Sequence, residues 1–546
     1  MININNKFIK TVILYRRFLI ISFISLAIYL VYSLLVLSPA SYRYFSLIDD
    51  GQSLDNYHSL ETCIKISDCK QASSVLVEKE FGRFRPMYWI MNSLVFFVGH
   101  SNPVTIHFIR IFVLGGLICL LLGANIYSIS RSSIGVLVGT SLFFSNMSFT
   151  ENMVRIGPAE PFQLILISFF SLILLNYNNL SVRIKPWVLT GGMMLLLMIL
   201  SMTKETTIAL VPVLLFLFLF YRSKFSKIKW QYLLSPFLII FVGKIVSRSG
   251  SELTQYGSFY SISFSLIYRN LLAYWHILLG GVKWYLPIIG IFGLFVTTIK
   301  FKVSHDFIPL LYWGLLSCCF FLILLPWEFV LERYFLIVLF GIAIIIGSVF
   351  GVLLQEIQFK LRSMIRRSRF SWLSPHFSIL INLLAFVVVS NIFFLSLVVH
   401  FPRSVNYATW YSRYLDYEHG LVKTLSDVNR PVYLNAVETL DNWEVLYEIP
   451  LHLKYFYKQD EKVIIVPDRL TKGDIVLTTS SLIPNQELNI QISTESAILN
   501  QEKAEISQLD VIEFRSEFRA RPVQTILNPP YSENYITHGW VLSEIQ

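Results

Sequence analysis

The stretch RRFLIISFISLAIYLVYSLLVLS, Arg16–Ser38, places two arginines before a long and almost uninterrupted apolar run. An apolar run of roughly 18 or more residues can cross a hydrocarbon core of about 30 Å as a helix. Similar runs recur along the 546-residue chain, which has 54% hydrophobic, 15% aromatic and only 15% charged residues. These proportions are not those of a soluble enzyme, and the sequence predicts an α-helical polytopic membrane protein.

The apolar runs predict about 11 transmembrane helices, at residues 18–38, 105–127, 133–149, 161–177, 186–202, 206–221, 231–247, 284–299, 307–326, 334–354 and 378–400. Lys and Arg lie in short clusters between these runs, as expected of loops on the cytoplasmic side of a membrane. With the N-terminus in the cytoplasm, every connection that returns to that side is basic. The net charge of +10 therefore reflects topology, and we expect no nucleic-acid partner.

The segment from Leu266 to Tyr285 is apolar enough to span but contains Arg269, His276 and Lys283. Counting it as a span would move the basic cluster from Lys360 to Arg369 to the outer side. We therefore predict an amphipathic interfacial or re-entrant helix here.

The composition changes after residue 400, which predicts a transmembrane domain at 1–400 and a separate extracytoplasmic domain at 401–546. The runs PVYLNA, KVIIVP and GDIVLTTS are typical of strands, and DNWEVLYEIPLHLKYFY has helical spacing. This order predicts a small α/β domain. It contains no glycine-rich phosphate loop and no metal-type cysteine spacing, so we assign it no catalytic role. We expect it to act as a lid or as a docking surface.

Cys63 and Cys69 lie together in the first external loop, residues 39–104, whereas the other cysteines lie in apolar runs. Only this pair faces an oxidising compartment in the predicted topology. A disulfide and a pair of free thiols both fit the sequence, and the disulfide is favoured.

Charged residues that interrupt the apolar pattern all fall on the outer side in this topology. The first external loop carries Asp49, Asp50 and Asp55, followed by Arg83 and Arg85 ahead of an aromatic stretch at 86–98 that we expect on the membrane surface. Later outer ends carry further charges: Glu151, Arg155, Glu160, Lys204, Glu205, Glu328, Glu332 and Arg333. Ionisable groups beside apolar spans favour a functional site, here a polar cleft at the outer membrane interface.

This combination suits an anionic lipid. Arg or Lys can hold a phosphate while the lipid tail stays in hydrocarbon, and a nearby carboxylate can deprotonate an acceptor hydroxyl. A purely structural role remains possible for each of these charged residues. Asp49 and Asp50 could end a helix in water, and the neighbours Lys204–Glu205 and Glu332–Arg333 could be structural ion pairs or headgroup contacts.

These segments resemble the GT-C class of integral-membrane glycosyltransferases, which includes protein O-mannosyltransferases and the bacterial aminoarabinose transferase. The resemblance covers roughly residues 1–400 and rests on Asp49–Asp50, on GRFRP at Gly82–Pro86, on TKE at Thr203–Glu205 and on ERY at Glu332–Tyr334. It implies a polyprenyl-phosphate-linked sugar donor and an acceptor glycosylated on the outer face of the cytoplasmic membrane. Members often pair Asp with Glu where this chain has two aspartates, which leaves open which catalytic role belongs to Asp49 and which to Asp50.

We therefore predict a glycosyltransferase, hexosyl- or pentosyl-transferring, that inverts the anomeric configuration. Asp49 and Asp50 are the candidate catalytic residues, with Asp49 favoured as the general base. Arg83, Arg85, Arg155, Lys204 and Arg333 are the candidate ligands of the donor phosphate, and Glu160, Glu205 and Glu332 are supporting polar residues. A divalent cation near Asp49 and Asp50 is left open, because some relatives use one.

Two other functions fit the same features. A transporter or flippase of lipid-linked sugars would also carry external charges and many spans, but it should have ionisable residues near mid-membrane, and the sequence shows few. A non-catalytic envelope scaffold would not need acidic residues so close to the membrane. The sugar, the acceptor (lipid, glycan or protein) and the oligomeric state leave no signature in the sequence.

Overall fold

The structure, a computed structural model, describes most of the helical region and parts of the tail. The described residues are 22–23, 25–47, 50–66, 69, 72, 76, 83–225, 227–248, 261–279, 307–327, 330–366, 374–435, 440–459, 463–465, 475–479, 506–512 and 540–545.

Helices dominate the described residues up to 427. They are α1 (Ser25–Ser41), α2 (Asp50–Ile66), α3 (Pro86–Val98), α4 (Pro103–Ser130), α5 (Ser133–Phe144), α6 (Met147–Val154), α7 (Glu160–Leu175), α8 (Pro186–Ser201), α9 (Leu210–Tyr221), α10 (Trp230–Leu234), α11 (Leu238–Arg248), α12 (Phe264–Leu279), α13 (Ile308–Leu324), α14 (Leu336–Arg366) and α15 (Ser374–Asp427). A one-turn helix, Tyr177–Leu180, follows α7, and 3-10 turns occupy Glu205–Ala209, Ser235–Phe237 and Glu332–Phe335.

Helices occupy ten of the eleven predicted span positions, and the other, 284–299, lies outside the described residues. By length and composition, two helices among the described residues can cross a membrane, Pro103–Ser130 and Glu332–Gln355. The bent pair α5 and α6 could form a third span. The membrane character of the chain and its helical class are thus supported, and the count of eleven spans stays a prediction.

The predicted span at 133–149 is broken in the structure. Its axis bends by 66° between α5 and α6. Asn146 lies at the bend in an extended conformation, and its side-chain oxygen accepts a hydrogen bond from Ser148 N at 2.9 Å. An Asn N-cap satisfies the first amides of a new helix, so the chain changes direction here instead of continuing straight.

Glycines bring α5 and α14 into close contact. Gly135 and Gly139 face Gly347 and Gly351, so each helix presents a G-x-x-x-G pair to the other. A Cβ added at Gly139 would lie 2.7 Å from the backbone oxygen of Ala343. Small residues at this spacing let two apolar helices approach backbone to backbone, which is a common mode of packing in membranes.

The two predicted interfacial segments are helical. In α3, Leu94, Phe97 and Val98 are exposed while Trp89 and Phe96 on the other side are buried, as expected of an amphipathic helix. Helix α12 covers Phe264–Leu279 of the second segment, and residues 280–285 lie outside the described part. Their contact with a membrane surface stays a prediction.

Helix α15 runs without a break from Ser374 to Asp427, for 54 residues. The domain boundary predicted at residue 400 therefore falls inside a helix. Most of the predicted tail follows it: β1 (Val432–Asn435), α16 (Leu440–Tyr457), β2 (Val463–Ile465), β3 (Ile475–Thr479), β4 (Ile506–Ile512) and β5 (Trp540–Ile545).

The five strands form one sheet in the order β2-β1-β3-β5-β4. Strand β1 is parallel to β2 and β3, with Val432 opposite Val463 and Ile475, whereas β5 is antiparallel to β3 and β4. The strand–helix–strand–strand order predicted for 431–480 agrees with these elements. Strands β4 and β5 were not predicted from the sequence. The independence of this unit as a domain, and its extracytoplasmic location, stay predictions.

Candidate active site

Charged side chains from widely separated segments of the chain interact with one another in the structure. They come from the start of α2, the segment before α3, helix α4, the α6–α7 connection, the turns before α9 and α14, and helix α15. We call this set the charged cluster: Asp50, Arg83, Arg85, Arg110, Glu151, Arg155, Glu160, Lys204, Glu205, Glu332, Arg333 and Arg403. It contains every charged residue predicted for the site except Asp49, which lies outside the described residues.

Lys204 and Glu205 are adjacent in sequence but bind different partners. The backbone at Lys204 is extended, with φ −159° and ψ 138°, so the two side chains leave the chain on opposite sides. The ammonium of Lys204 donates to Glu160 at the start of α7. Glu205 instead accepts from Arg85, with 3.1 Å between Arg85 Nε and Glu205 Oε2.

The two carboxylates of these pairs are ionised at neutral pH. Burial alone would raise the pKa of Glu205, but Arg85 and Arg83 outweigh burial and hold that pKa at about 2. Burial likewise opposes ionisation of Glu160, and Lys204 and Arg333 reverse its effect, so the pKa of Glu160 lies below its usual value. Nearby positive charge is the cause in both cases.

The turn before α14 separates its charged neighbours in the same way. Glu332 accepts from Arg403 of α15, with 2.8 Å between Arg403 Nη2 and Glu332 Oε1. The Arg333 guanidinium lies 5.3 Å from the ring centroid of Tyr334, and Lys204 Nζ lies 4.6 Å from the same centroid. Two cations therefore lie near the ring of Tyr334, and both act on Glu160.

Arg155 adds a third cation next to this pair. It is 4% exposed and interacts electrostatically with Arg333. Its own carboxylate partner, Glu151, lies one helical turn earlier, and the 3.4 Å between Arg155 Nη1 and Glu151 Oε1 marks a long hydrogen bond. Two arginines held near each other inside a protein favour an anion between them, because like charges repel most strongly away from water.

Asp50 begins helix α2 and is 1% exposed. Its Oδ2 atom accepts a hydrogen bond from Ser46 N at 2.8 Å. Tyr411 of α15 interacts electrostatically with both Asp50 and Arg155, and Arg110 interacts with both Asp50 and Glu160. Asp50 therefore belongs to the same electrostatic neighbourhood as the cations. It begins a helix, whereas the alternative left open by the sequence was that it ends one.

Asp55 has a different environment. Its Oδ1 atom accepts from the hydroxyl of Tyr455 and lies 3.6 Å from Lys454 Nζ, both on the tail helix α16. The carboxylate thus joins helix α2 to helix α16.

Two residues of the charged cluster were not predicted from the sequence. Arg110 lies in an apolar run and is fully buried, with Nη2 donating to the backbone oxygens of Asn152 and Pro158. The sequence did offer a signal, since a lone arginine within an apolar span is a functional candidate by default. Arg403 was assigned to the tail because it follows the last predicted span, although it lies on the same helix.

The expected cysteine pair is confirmed as a disulfide, Cys63–Cys69, with 4.4 Å between the Cα atoms. For the metal left open by the sequence, the described residues give no fitting ligand set. Among them, no three His, Cys, Asp or Glu side chains are placed to hold a metal ion.

No protein-family model matches the chain, and no curated protein matches it in sequence. Solved structures do show a likeness. ArnT from Cupriavidus metallidurans bound to undecaprenyl phosphate shares 11% identity at a TM-score of 0.47, over 84% of this chain and 93% of that one. The Archaeoglobus fulgidus oligosaccharyltransferase in the apo form shares 11% identity at a TM-score of 0.45, over 80% of this chain and 64% of that one. At this identity the likeness establishes no substrate for this chain.

Proposed function

We propose that this chain is a membrane glycosyltransferase that moves a sugar from a polyprenyl-phosphate donor to an acceptor hydroxyl. The observation that carries the proposal is that three cations from separate segments lie together: Lys204 and Arg333 lie near the ring of Tyr334, and Arg155 interacts with Arg333. Tyr411 interacts with both Arg155 and Asp50. Such an arrangement offers cations for a phosphate and a carboxylate for a hydroxyl in one buried place.

The cations suit the leaving group of this reaction. Charge builds up on the bridging phosphate oxygen as its bond to the anomeric carbon breaks, and fixed positive groups in a water-poor site stabilise that charge. Arg155 and Arg333 can each offer two parallel N–H donors, while Lys204 acts as a point charge. Glu151 and Glu160 neutralise part of this charge when no donor is bound.

Arg85 and Arg83 have a different role in the proposal. Both act on Glu205, and Arg85 is hydrogen-bonded to it. We assign them to fixing the segment before α3 against the turn that carries Lys204, rather than to direct phosphate contact. This narrows the five phosphate ligands expected from the sequence to three.

Asp50 is the proposed general base among the described residues, and Asp49 remains a second candidate. The carboxylate takes the proton of the acceptor hydroxyl as that oxygen bonds to the anomeric carbon. The bond between that carbon and the phosphate oxygen breaks, and polyprenyl phosphate leaves with the electron pair. One direct displacement inverts the anomeric configuration. A positioned base contributes typically 10²–10⁴ in rate.

The site should face the outer side of the cytoplasmic membrane. This placement rests on the basic clusters between the spans, which put the ends carrying Arg155, Lys204 and Arg333 on the outer side. The acceptor would then be a lipid, glycan or protein hydroxyl outside the cytoplasm.

The direct test uses purified protein in detergent, with no membrane gradient, and a panel of short-chain polyprenyl-phosphate sugars. We expect release of polyprenyl phosphate, slowly when water is the only acceptor and faster when a hydroxyl acceptor is added. Asp50→Asn should lower the release about 10²-fold or more, whereas Asp427→Asn, an exposed carboxylate at the end of α15, should retain it. Protein that moves these lipids between leaflets in vesicles, yet leaves the sugar–phosphate bond intact, would instead be a flippase.

A further inference from the structure

We infer that the tail helix α16 positions the catalytic loop, and that Glu448 is the residue through which it does so. The inference rests on the proposed function, because it assigns a task to the tail in the same reaction. Among the side chains that the structure describes, helix α16 contributes no member of the charged cluster, and we assign its effect on the reaction to its contact with α2.

Glu448 binds the amino end of α2, nearly 400 residues earlier in the chain. Its Oε2 atom accepts from Gly51 N, and its Oε1 atom accepts from Gln52 N at 2.9 Å. The first amides of a helix have no partner within the helix, and a carboxylate also complements the positive end of the helix dipole. Helix α2 begins at Asp50, so the capped amides directly follow the proposed base.

Gly51 supports the same contact from the other side. A Cβ added there would collide with Glu448 Oε2 and would lie 2.9 Å from Cδ2 of His452. A side chain at position 51 would therefore displace the Glu448 carboxylate from the amides that it caps. The carboxylate of Glu448 occupies the space that a side chain at position 51 would fill.

Further contacts continue along the same faces of both helices. His58 stacks on Tyr455, with 4.6 Å between ring centroids and 13° between planes, and Asp55 binds Tyr455 and Lys454. Residues 448, 452 and 455 recur at helical spacing, as do 51, 55 and 58. The two helices are thus joined over two turns, starting at the end that carries Asp50.

Helix α15 holds the residues just before α2. Glu418 Oε2 accepts from Leu47 N at 3.0 Å, and Ser46 N donates to Asp50 itself. The loop that presents Asp50 is therefore held by one carboxylate from α15 and one from α16. Glu448 is the member of this pair on α16, and we assign to it the ordering of the first turn of α2.

The first test measures transfer by Glu448→Ala and Gly51→Ala. Each should lower kcat at least tenfold with little change in donor KM, because the cations that hold the phosphate are untouched. The double variant should be no worse than the poorer single variant, since both break one contact. Glu448→Gln keeps the Oε1 acceptor and should retain more activity than Glu448→Ala. Asp427→Asn, an exposed carboxylate at the end of α15, is the matched control.

The second test does not depend on activity. Hydrogen–deuterium exchange should rise in residues 50–56 of Glu448→Ala and stay unchanged in α3, at unchanged melting temperature. If the exchange rises but the parent protein transfers no sugar from any donor, the proposed function fails and the positioning of α2 by Glu448 stands. If Glu448→Ala exchanges and transfers like the parent, the inference is overturned.

Discussion

Lys204 pairs with Glu160, 44 residues away along the chain, and not with its neighbour Glu205. The extended backbone at Lys204 separates the two side chains, and each then links a different pair of segments. The consequence is a network in which Glu160, Glu205 and Glu332 each tether one segment to another. A cation in this network therefore has two separable roles, structural neutralisation and contact with a ligand.

The first prediction separates these roles at Lys204. Lys204→Met should leave Glu160 as a buried carboxylate without its cation, at a stability cost of about 3–5 kcal/mol. Adding Glu160→Gln removes that charge and should recover most of the melting temperature. Donor KM should nevertheless stay raised about tenfold or more, the worth of a charged hydrogen bond to phosphate. If the double variant recovers donor KM together with stability, Lys204 serves Glu160 alone.

The second prediction concerns Asp50. Asp50→Asn keeps an oxygen that can accept from Ser46 N, so the variant should fold and bind donor normally. It should lose transfer by about 10²-fold or more, because an amide cannot take a proton from the acceptor. Fluorescence titration with a polyprenyl-phosphate sugar measures donor binding beside the rate. Equal transfer by Asp50→Asn, Asp49→Asn and their combination would show that the acidic pair is not the base.

The third prediction concerns acid stability. The pKa of Glu205 is held at about 2 in the fold, below the ordinary glutamate value of about 4.5, so its pairing with Arg85 stabilises the protein fully above pH 4.5. That contribution should fade as the pH falls from about 4.5 towards 2. We expect roughly 1–3 kcal/mol, since the Glu205 side chain is still 29% exposed.

Melting temperatures of the parent and of Glu205→Gln, recorded in detergent from pH 7 to pH 3, test this effect. The parent should be the more stable protein at pH 7, and the two curves should converge on acidification. Arg85→Met in the Glu205→Gln background should then cost little further stability. A constant difference between parent and Glu205→Gln at every pH would contradict the pairing.

The fourth prediction concerns topology. With Cys119, Cys318 and Cys319 replaced by serine, the disulfide between Cys63 and Cys69 leaves no free thiol. A single cysteine at the exposed position of Lys423 should then react with an impermeant maleimide in spheroplasts. A cysteine at Val182, which is 83% exposed beside the predicted cytoplasmic residues Arg183 and Lys185, should react only after permeabilisation. The opposite pattern would invert the predicted orientation.

The sequence predicted the helical class and most helix positions, because apolar runs are local features of the chain. The basic loops also predict that most site residues share the outer side of the membrane, and this orientation stays a prediction. The bend at Asn146 was missed because the apolar pattern continues through it, although the Asn N-cap is a local signal. The contact between Gly139 and Gly347 was also missed, because a G-x-x-x-G pair does not show which other helix it packs against.

Pairing within the site could not be predicted from the sequence. Glu332 next to Arg333 suggests a local ion pair, yet its partner is Arg403, 71 residues later. Likewise, nothing in the sequence near Glu448 shows that its carboxylate caps a helix of the first loop. Such partners depend on which segments the fold brings together. Because the chain has many acidic and basic residues, the sequence allows many different ion pairs for each of them.

Helix α15 fixes distances as well as contacts. At 1.5 Å per residue, its 54 residues measure about 80 Å, and Arg403, Tyr407, Tyr411 and Glu418 follow one another on a single face. One residue inserted before Arg403 would turn everything beyond it by about 100° and advance it by about 1.5 Å. All four side chains would then leave the site at once. The spacing between the part of this helix before Arg403 and the four side chains that follow is therefore fixed to the single residue.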